Sequence, residues 1–171
     1  MVIWLNGCFG VGKTETANKL HLRLNNSYIY DPELVGSFLW DAFPEPLKRK
    51  GDFQDLELWR SMNYQIIKYL SQSDSGHILV PMTLVNPDYF DQIIGRLLRD
   101  GVDVRHFILD APKDTIMERL TRRGEPENSW AEQQIDRCIH AFHREIRGER
   151  IDTTHRSSEE VADYILARIG C

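Results

Sequence analysis

The residue types best suited to chemistry lie close together near the start of the chain, where spaced glycines lead into a lysine and a threonine. The string is Gly7-Cys8-Phe9-Gly10-Val11-Gly12-Lys13-Thr14. It fits the full G-x-x-x-x-G-K-[ST] template, in which glycines let backbone N–H groups converge on one anion. The positive end of a following helix adds to that attraction. The string therefore predicts a site for the phosphates of a nucleotide.

Lys13 and Thr14 have separate predicted roles in this site. Lys13 would reach the β- and γ-phosphates of ATP, and the Thr14 hydroxyl would be a ligand of Mg²⁺. No other metal is predicted, because His140 and His143 lack an acidic or thiolate partner at ligand spacing. The alternative is a glycine-rich turn without a ligand, which requires the Lys-Thr pair to follow the last glycine by accident.

The elements that would position this motif alternate between strand-like and helix-like segments. Strands are predicted at residues 2–5, 28–30, 77–83, 104–109 and 150–153. Helices are predicted at residues 15–24, 33–42, 56–71, 86–100, 113–123, 130–147 and 158–169. Together with the glycine-rich string, this alternation predicts one α/β domain over residues 1–171, a P-loop NTPase domain with a five-stranded parallel sheet and helices on both faces. The basic triplet Lys48-Arg49-Lys50 is predicted to be a solvated loop.

Residues at the carboxyl ends of the strands are candidates for the substrate site, because ligands bind there in open parallel sheets. Asp31 follows the second predicted strand and could accept the proton of an attacking hydroxyl. Asp31-Pro32-Glu33 also fits the start of a helix, and the two roles are compatible. Thr83, at the end of the third strand, could contact water or phosphate, or be only a strand-end hydroxyl. Adenine is expected near residues 152–155.

Arginines form a second candidate group. Arg119, Arg122 and Arg123 share one face of a predicted helix, and the next helix, beyond a polar loop with glycine and proline, carries Arg137. Phosphoryl transfer spreads negative charge, which guanidinium groups on a closing lid can stabilise while they exclude water. Segment 119–137 is therefore predicted to be a lid, with Arg119, Arg123 and Arg137 in catalytic roles. An exposed helix face with ordinary charge partners is the alternative.

The helical segment between the second and third strands is where an acceptor would bind in this topology. It carries Trp59, Arg60 and Tyr64, which are candidate substrate contacts. Trp40, Trp59 and Tyr64 could stack on a base or lie along an acyl chain. Aromatic residues at helical spacing are more often part of the core, which is the alternative for these three.

Composition narrows the class of protein. The net charge of −5 and the pI near 5.7 argue against a protein that holds nucleic acid by neutralising phosphates. No apolar stretch is long enough to span a bilayer, and the three widely spaced cysteines suggest no disulfide framework. We therefore expect a cytoplasmic protein, for which a homodimer is possible.

Several strings resemble the tunicamycin-resistance family of P-loop proteins over almost the whole chain. They are Ile3-Trp4-Leu5-Asn6-Gly7, Tyr30-Asp31-Pro32-Glu33, Asp52-Phe53-Gln54, Leu58-Trp59-Arg60, Val80-Pro81-Met82-Thr83, Ile93-Ile94-Gly95-Arg96-Leu97, Asn128-Ser129-Trp130-Ala131 and Gln134-Ile135-Asp136-Arg137-Cys138. The resemblance implies an ATP-binding protein that protects cells against tunicamycin, a uridine-containing antibiotic with a fatty-acyl tail.

The resemblance further implies a fold similar to nucleotide kinases, shikimate kinase and chloramphenicol phosphotransferase. Such a fold suggests inactivation of the drug by phosphorylation. Drug binding without catalysis, and a nucleoside or nucleotide kinase, are the alternatives. Longer members of the family end in a basic amphipathic tail, whereas this chain stops at Gly170-Cys171, so no stable membrane association is expected.

Overall fold

The computed structural model describes residues 1–47, 51–73 and 76–170, and its central feature is a parallel sheet. Among the described residues the sheet has five strands, in the order β2-β3-β1-β4-β5, and every neighbouring pair is parallel. The strands are β1 Val2–Gly7, β2 Ser27–Ile29, β3 His77–Pro81, β4 Val104–Asp110 and β5 Glu149–Asp152. The predicted five-stranded α/β fold is confirmed. The predicted basic loop at 48–50 lies outside the described residues.

Helices connect the strands. They are α1 Lys13–Arg23, α2 Glu33–Ala42, α3 Glu57–Gln72, α4 Pro87–Phe90, α5 Arg96–Arg99, α6 Lys113–Arg122, α7 Trp130–Gln133, α8 Ile135–Arg144 and α9 Ser158–Ile169. A wider π-helical turn, Asp91–Gly95, joins α4 to α5. Short 3-10 turns lie at Glu45–Leu47 and Phe53–Asp55. No helix in the described part of the chain is long and apolar enough to cross a membrane.

The single helix predicted over 130–147 is wrong. Two helices, α7 and α8, meet at Gln134, and α8 ends at Arg144. Ile146 continues the apolar pattern, but its N–H reaches back five residues to the Ala141 carbonyl and its side chain is buried outside the helix. Gly148 then passes so close to His106 that a Cβ would lie 2.6 Å from the ring. The chain must leave the helix there to enter β5.

Two hydrophobic cores lie on opposite faces of the sheet, because successive side chains of a strand point to opposite sides. In β1, Ile3 and Leu5 enter the core made with α1, α6, α8 and α9. Val2 and Trp4 enter the core made with α2, α3 and α5. All of these side chains are fully buried. The first strand is thus held on both faces, which fixes the loop that follows it.

The end of β1 lies between the ends of β3 and β4. Leu5 pairs with Pro81, and Gly7 pairs with Leu109. Gly7 has φ +139°, and a Cβ there would lie 2.4 Å from the Leu109 carbonyl oxygen, so only glycine fits this position. The glycine-rich loop therefore begins at the centre of the carboxyl edge of the sheet.

Candidate active site

The glycine-rich loop has the geometry of an anion cradle. Gly10 and Gly12 adopt positive φ values of 78° and 104°, and the Val11 N–H donates to the Cys8 carbonyl at 3.3 Å. Helix α1 follows at once, with Gly12 at its N-cap and no side-chain cap, so its first N–H groups need an outside acceptor. A Cβ at Gly12 would meet nothing within 4 Å. The space beside these donors is open and fits a phosphate group.

Lys13 lies folded over the same loop. Its Nζ donates to the carbonyl oxygens of Gly7 at 3.0 Å and Cys8 at 2.9 Å, and it lies 5.4 Å from the centre of the Phe9 ring. Burial lowers the pKa of Lys13 to about 8, although the Glu33 carboxylate acts in the opposite direction. The cation is thus held by neutral oxygens, and a phosphate would supply the opposite charge that the loop lacks.

A cleft of about 990 Å³ opens above the loop at the carboxyl edge of the sheet. Its volume is at the upper end of the range for small-molecule sites, which leaves room for a nucleotide and an acceptor. Its walls come from the loop and α1, the start of α2, the Phe53–Asp55 turn, the end of β3, the end of α6, α7 and the start of α9. Thr14 lines the cleft with an exposed side chain.

Two of the three predicted arginines reach this cleft. Arg119 donates through Nη1 to Thr153 Oγ1 at 3.0 Å and to the Val11 carbonyl at 3.4 Å, so it ties the glycine-rich loop to the turn after β5. Arg123 lines the cleft and is paired with Glu125 at 2.9 Å. Arg137 does not line the cleft. It is exposed and contacts Gln134 at 3.5 Å.

Glu33 lines the cleft, together with Glu15 and Glu125, whereas Asp31 does not. The Asp31 carboxylate accepts the Glu33 backbone N–H at 2.9 Å, so it caps the start of α2, as the capping interpretation expects. Burial, followed by the charge of Asp31, raises the pKa of Glu33. A raised pKa brings a carboxylate closer to the range in which it acts as a general base.

Thr83 lines the cleft, but its hydroxyl has a partner in the protein. Its Oγ1 donates to the Gly7 carbonyl at 2.8 Å, and its side chain is buried. Buried Asn6 reinforces this join, because its Oδ1 accepts from Gly7 N at 3.0 Å and from Leu84 N at 2.8 Å. Its Nδ2 donates to the Leu84 carbonyl at 3.0 Å. The end of β3 is thus bonded directly to the start of the glycine-rich loop.

The structure does not bring Trp59, Arg60 or Tyr64 into the cleft. Trp59 is fully buried and donates to the Pro32 carbonyl at 3.1 Å. The Tyr64 hydroxyl donates to the Asp100 carboxylate on the outer side of α3. Arg60 donates to the Gln54 carbonyl at 2.6 Å, directly behind the cleft wall. Trp59 and Arg60 therefore support segments of the wall from behind, and none of the three side chains forms its surface.

Sequence reasoning missed the wall residues that come from irregular segments. Gln54 lines the cleft and donates through Nε2 to the Thr83 carbonyl at 3.1 Å. Phe53 and Trp130 also line it. One signal could have found Glu33, since a carboxylate two residues after a capping aspartate lies in the first turn of the helix. The other wall residues are brought together only by tertiary contacts.

The loop, the sheet order and the cleft define a P-loop nucleotide-binding protein with a kinase-like fold. The family model described as AAA domain matches residues 2–145. The tunicamycin resistance protein of Deinococcus radiodurans is 33% identical, with a TM-score of 0.83 over 99% of this chain and 95% of that chain. The chain therefore belongs to the AAA domain family and to the tunicamycin-resistance proteins, which confirms the predicted family.

More distant solved structures share the fold. The APS kinase CysC of Mycobacterium tuberculosis, in complex with AMPPNP and APS, is 17% identical with a TM-score of 0.68, over 99% of this chain and 97% of that chain. Shikimate kinase of Bacteroides thetaiotaomicron is 17% identical with a TM-score of 0.65, over 100% and 99%. At such identity these likenesses show the fold alone. Among curated proteins, none matches this sequence significantly.

Proposed function

We propose that this protein transfers the γ-phosphate of ATP to a hydroxyl of tunicamycin or a similar nucleoside antibiotic in the cytoplasm. The observation that supports this proposal most strongly is that one cleft is lined by Lys13, Glu33, Arg119 and Arg123. The groups proposed to bind phosphate, accept a proton and stabilise charge therefore face one space. The 33% identity to the tunicamycin resistance protein supports the choice of acceptor.

On the phosphate side, Lys13 exchanges its two carbonyl partners for the β- and γ-phosphate oxygens of ATP. The open N–H groups at the start of α1 bind the same phosphates. Thr14, whose exposed side chain lines the cleft, is the proposed ligand that would hold Mg²⁺, and the metal would neutralise negative charge on the phosphates. These residues position the γ-phosphate for attack and stabilise the charge that develops on it.

On the acceptor side, Glu33 is the proposed general base. It takes the proton of the acceptor hydroxyl while the oxygen bonds to the γ-phosphorus and the bond to the β-phosphate oxygen breaks. Asp31 caps α2 and thereby positions Glu33, so its proposed contribution to the reaction is indirect. This assignment moves the proposed base two residues along from the one the sequence suggests.

Arg119 of α6 and Arg123, directly after that helix, are proposed to stabilise the transferring phosphoryl group. Arg119 contacts the glycine-rich loop directly, and Arg123 would exchange Glu125 for phosphate oxygens. Arg137 could contact the phosphoryl group only if segment 119–137 closes over the cleft. That closure stays a prediction.

One observation favours an alternative without catalysis. The end of β3 offers the cleft Pro81, Met82 and Thr83 and no carboxylate to help hold Mg²⁺, as one does in many ATPases. An ATP-dependent protein that binds and sequesters the drug would need no such group. A nucleoside or nucleotide kinase is the third candidate.

One assay separates the three candidates. The purified protein is incubated with Mg-ATP and tunicamycin, or with ordinary nucleosides, and the products are measured by mass spectrometry. We expect phosphorylated tunicamycin from the wild type and from Lys113→Ala, a control in which an exposed lysine is lost. We expect none from Lys13→Ala. Unmodified but bound drug would indicate sequestration, and phosphorylated nucleosides alone would indicate a nucleoside kinase.

A further inference from the structure

Two aromatic residues of the cleft have no role in the proposed reaction, and they lie against each other. Phe9 belongs to the glycine-rich loop, and Trp130 is the first residue of α7. Their ring centroids are 5.0 Å apart and their planes meet at 69°, an edge-on arrangement that aromatic pairs prefer. Both residues line the cleft. Their contact therefore links the loop proposed to bind phosphate to a separate part of the cleft wall.

The Phe9 ring also lies beside the cation of the loop. Lys13 Nζ is 5.4 Å from the centre of the ring, within the distance at which an aromatic face attracts a cation. The same Nζ donates to the Cys8 carbonyl at 2.9 Å, and Cys8 directly precedes Phe9. Phe9 is thus connected to Lys13 both through its ring and through the neighbouring peptide group.

Lys13 can be held in two ways. In the structure, its ammonium group donates to the carbonyl oxygens of Gly7 and Cys8. A phosphate would draw the ammonium group away from them, because a charged acceptor forms the stronger hydrogen bond. Both connections between Lys13 and Phe9 would change at that step. The loop therefore contains an element with two discrete arrangements, which is what coupling between two sites requires.

Trp130 is well placed to respond to a change at Phe9. Helix α7 has only four residues and lies between Asn128, with a left-handed φ of 59°, and the break at Gln134. Trp130 is 54% exposed, whereas Ala131 beside it is buried. In the described part of the chain, the aromatic ring that packs against Trp130 is that of Phe9. A movement of Phe9 therefore alters the support of Trp130 directly.

Trp130 lies at the part of the cleft where an acceptor would be placed. It lines both the cleft and an adjoining cavity of about 360 Å³, and so does Phe53. Phe53 packs on α2, the helix that carries Glu33, since a Cβ at Gly36 would lie 2.6 Å from its ring. The position of Trp130 thus affects the shape of the space next to the proposed base.

We propose that Phe9 is a positioning residue that couples the nucleotide site to Trp130, so that a bound nucleotide orders the wall at which the acceptor binds. The coupling is positive, because the acceptor then meets a wall that the nucleotide has already ordered. By linkage, the acceptor strengthens nucleotide binding by the same factor.

The inference has two parts that depend on different premises. The first part, from the nucleotide to Trp130, needs only nucleotide binding at the loop. The second part, from Trp130 to the acceptor, rests on the proposed function, because it needs an acceptor in the cleft. Both parts hold with or without phosphoryl transfer.

Fluorine NMR of protein labelled with fluorotryptophan tests the first part. The chain has four tryptophans, and the resonance that is missing from Trp130→Phe belongs to Trp130. We expect saturation with Mg²⁺ and a non-hydrolysable ATP analogue to shift this resonance in the wild type. Phe9→Leu stays apolar but removes the ring, and should lose most of the shift. Phe9→Tyr keeps the ring and should keep the shift.

A matched control and two contrary results complete this test. Phe43→Leu changes a half-buried phenylalanine that packs on the other core and does not line the cleft, so it should behave like the wild type. A Trp130 resonance that does not move in the saturated wild type would overturn the coupling. So would an equal shift in Phe9→Leu, because the nucleotide would then reach Trp130 directly.

Calorimetry tests the second part. Tunicamycin is titrated into the protein with and without the saturating analogue. We expect the analogue to tighten drug binding about fivefold in the wild type and in Phe43→Leu. The ratio should be near one in Phe9→Leu and in Trp130→Leu, a variant that leaves the sequence of the loop unchanged. A ratio near one in the wild type, or a wild-type ratio in Trp130→Leu, would overturn this part.

The coupling and the proposed function can fail separately. If tunicamycin is phosphorylated but neither the Trp130 resonance nor the drug affinity responds to the analogue, the coupling falls alone. If tunicamycin neither binds nor is phosphorylated while the Trp130 resonance still follows the nucleotide through Phe9, the proposed function falls together with the second part of the inference. The first part then stands.

Discussion

The phosphate wall and the acceptor wall of the cleft are built in different ways. The phosphate wall comes from eight consecutive residues, and its proposed phosphate-binding groups are mainly backbone N–H groups and one lysine. The acceptor wall combines side chains from α2, the Phe53–Asp55 turn, the end of β3 and α7. The first arrangement suits any nucleoside triphosphate. The second depends on the side chains that separate segments bring together, so the identity of the acceptor has to be sought there.

The two walls are nevertheless joined. Thr83 and Asn6 bond the end of β3 to Gly7, and Gln54 bonds the acceptor wall to Thr83. A change at this join should therefore affect both walls, whereas a change on one wall should affect only one substrate.

The largest expected effect is on the phosphate wall. Lys13→Ala removes the cation that stabilises the transferring charge, so we expect kcat/KM for phosphoryl transfer to fall by about 10³. Affinity for the drug in the absence of nucleotide should not change. A variant that kept more than a tenth of the wild-type rate would contradict the role of Lys13.

The next effect should separate the roles of Glu33, which lines the cleft, and Asp31, which caps α2. Glu33→Gln should lower kcat by about 10² and leave ATP affinity unchanged, because it removes the proposed base. Asp31→Asn should have a much smaller effect, because asparagine also caps helices. Steady-state kinetics and ATP titrations measure both variants. A greater loss in Asp31→Asn than in Glu33→Gln would return the role of base to Asp31.

Removing the hydrogen bonds that join the two walls should lower the stability of the protein. Asn6→Leu leaves the N–H groups of Gly7 and Leu84 and the Leu84 carbonyl without their partner, and we expect a loss of about 3 kcal/mol in the free energy of unfolding. Thr83→Val removes one donor to a carbonyl that Lys13 also contacts, and should cost about 1 kcal/mol. Urea unfolding measures both variants. Equal losses in the free energy of unfolding of the two variants would argue against Asn6 as the main link between the walls.

The smallest expected effect is the uptake of protons when a nucleotide binds. Because the pKa of Lys13 is about 8 in the free protein and a bound phosphate raises it, nucleotide binding should take up protons above pH 8. Uptake should approach one proton near pH 9 and be small near pH 7, and affinity should fall as the pH rises through this range. Calorimetry of ADP binding in buffers of different ionisation enthalpy measures the uptake. An uptake that did not change with pH would exclude a lowered pKa for Lys13.

The sequence predicted what depends on local pattern. The glycine-rich loop is a continuous string, and the buried strands are apolar runs, so both the motif and the sheet could be recognised. Trp59 and Tyr64 illustrate the limit. Their helical spacing fitted a substrate surface or a core, and the choice depends on distant partners such as Pro32 and Asp100. The end of α8 likewise depends on a distant partner, because Gly148 passes close to His106 of β4.

The central claim is that the γ-phosphoryl group of ATP, bound at the phosphate wall, is transferred to an acceptor at the acceptor wall. One measurement tests this claim directly. ATP labelled in its γ-phosphate is incubated with the protein, Mg²⁺ and tunicamycin, and the label is followed into the drug and into inorganic phosphate. The account predicts label in the drug for the wild type, very little for Glu33→Gln and none for Lys13→Ala. Label that appeared only in inorganic phosphate, or that stayed in ATP while the drug was bound, would contradict it.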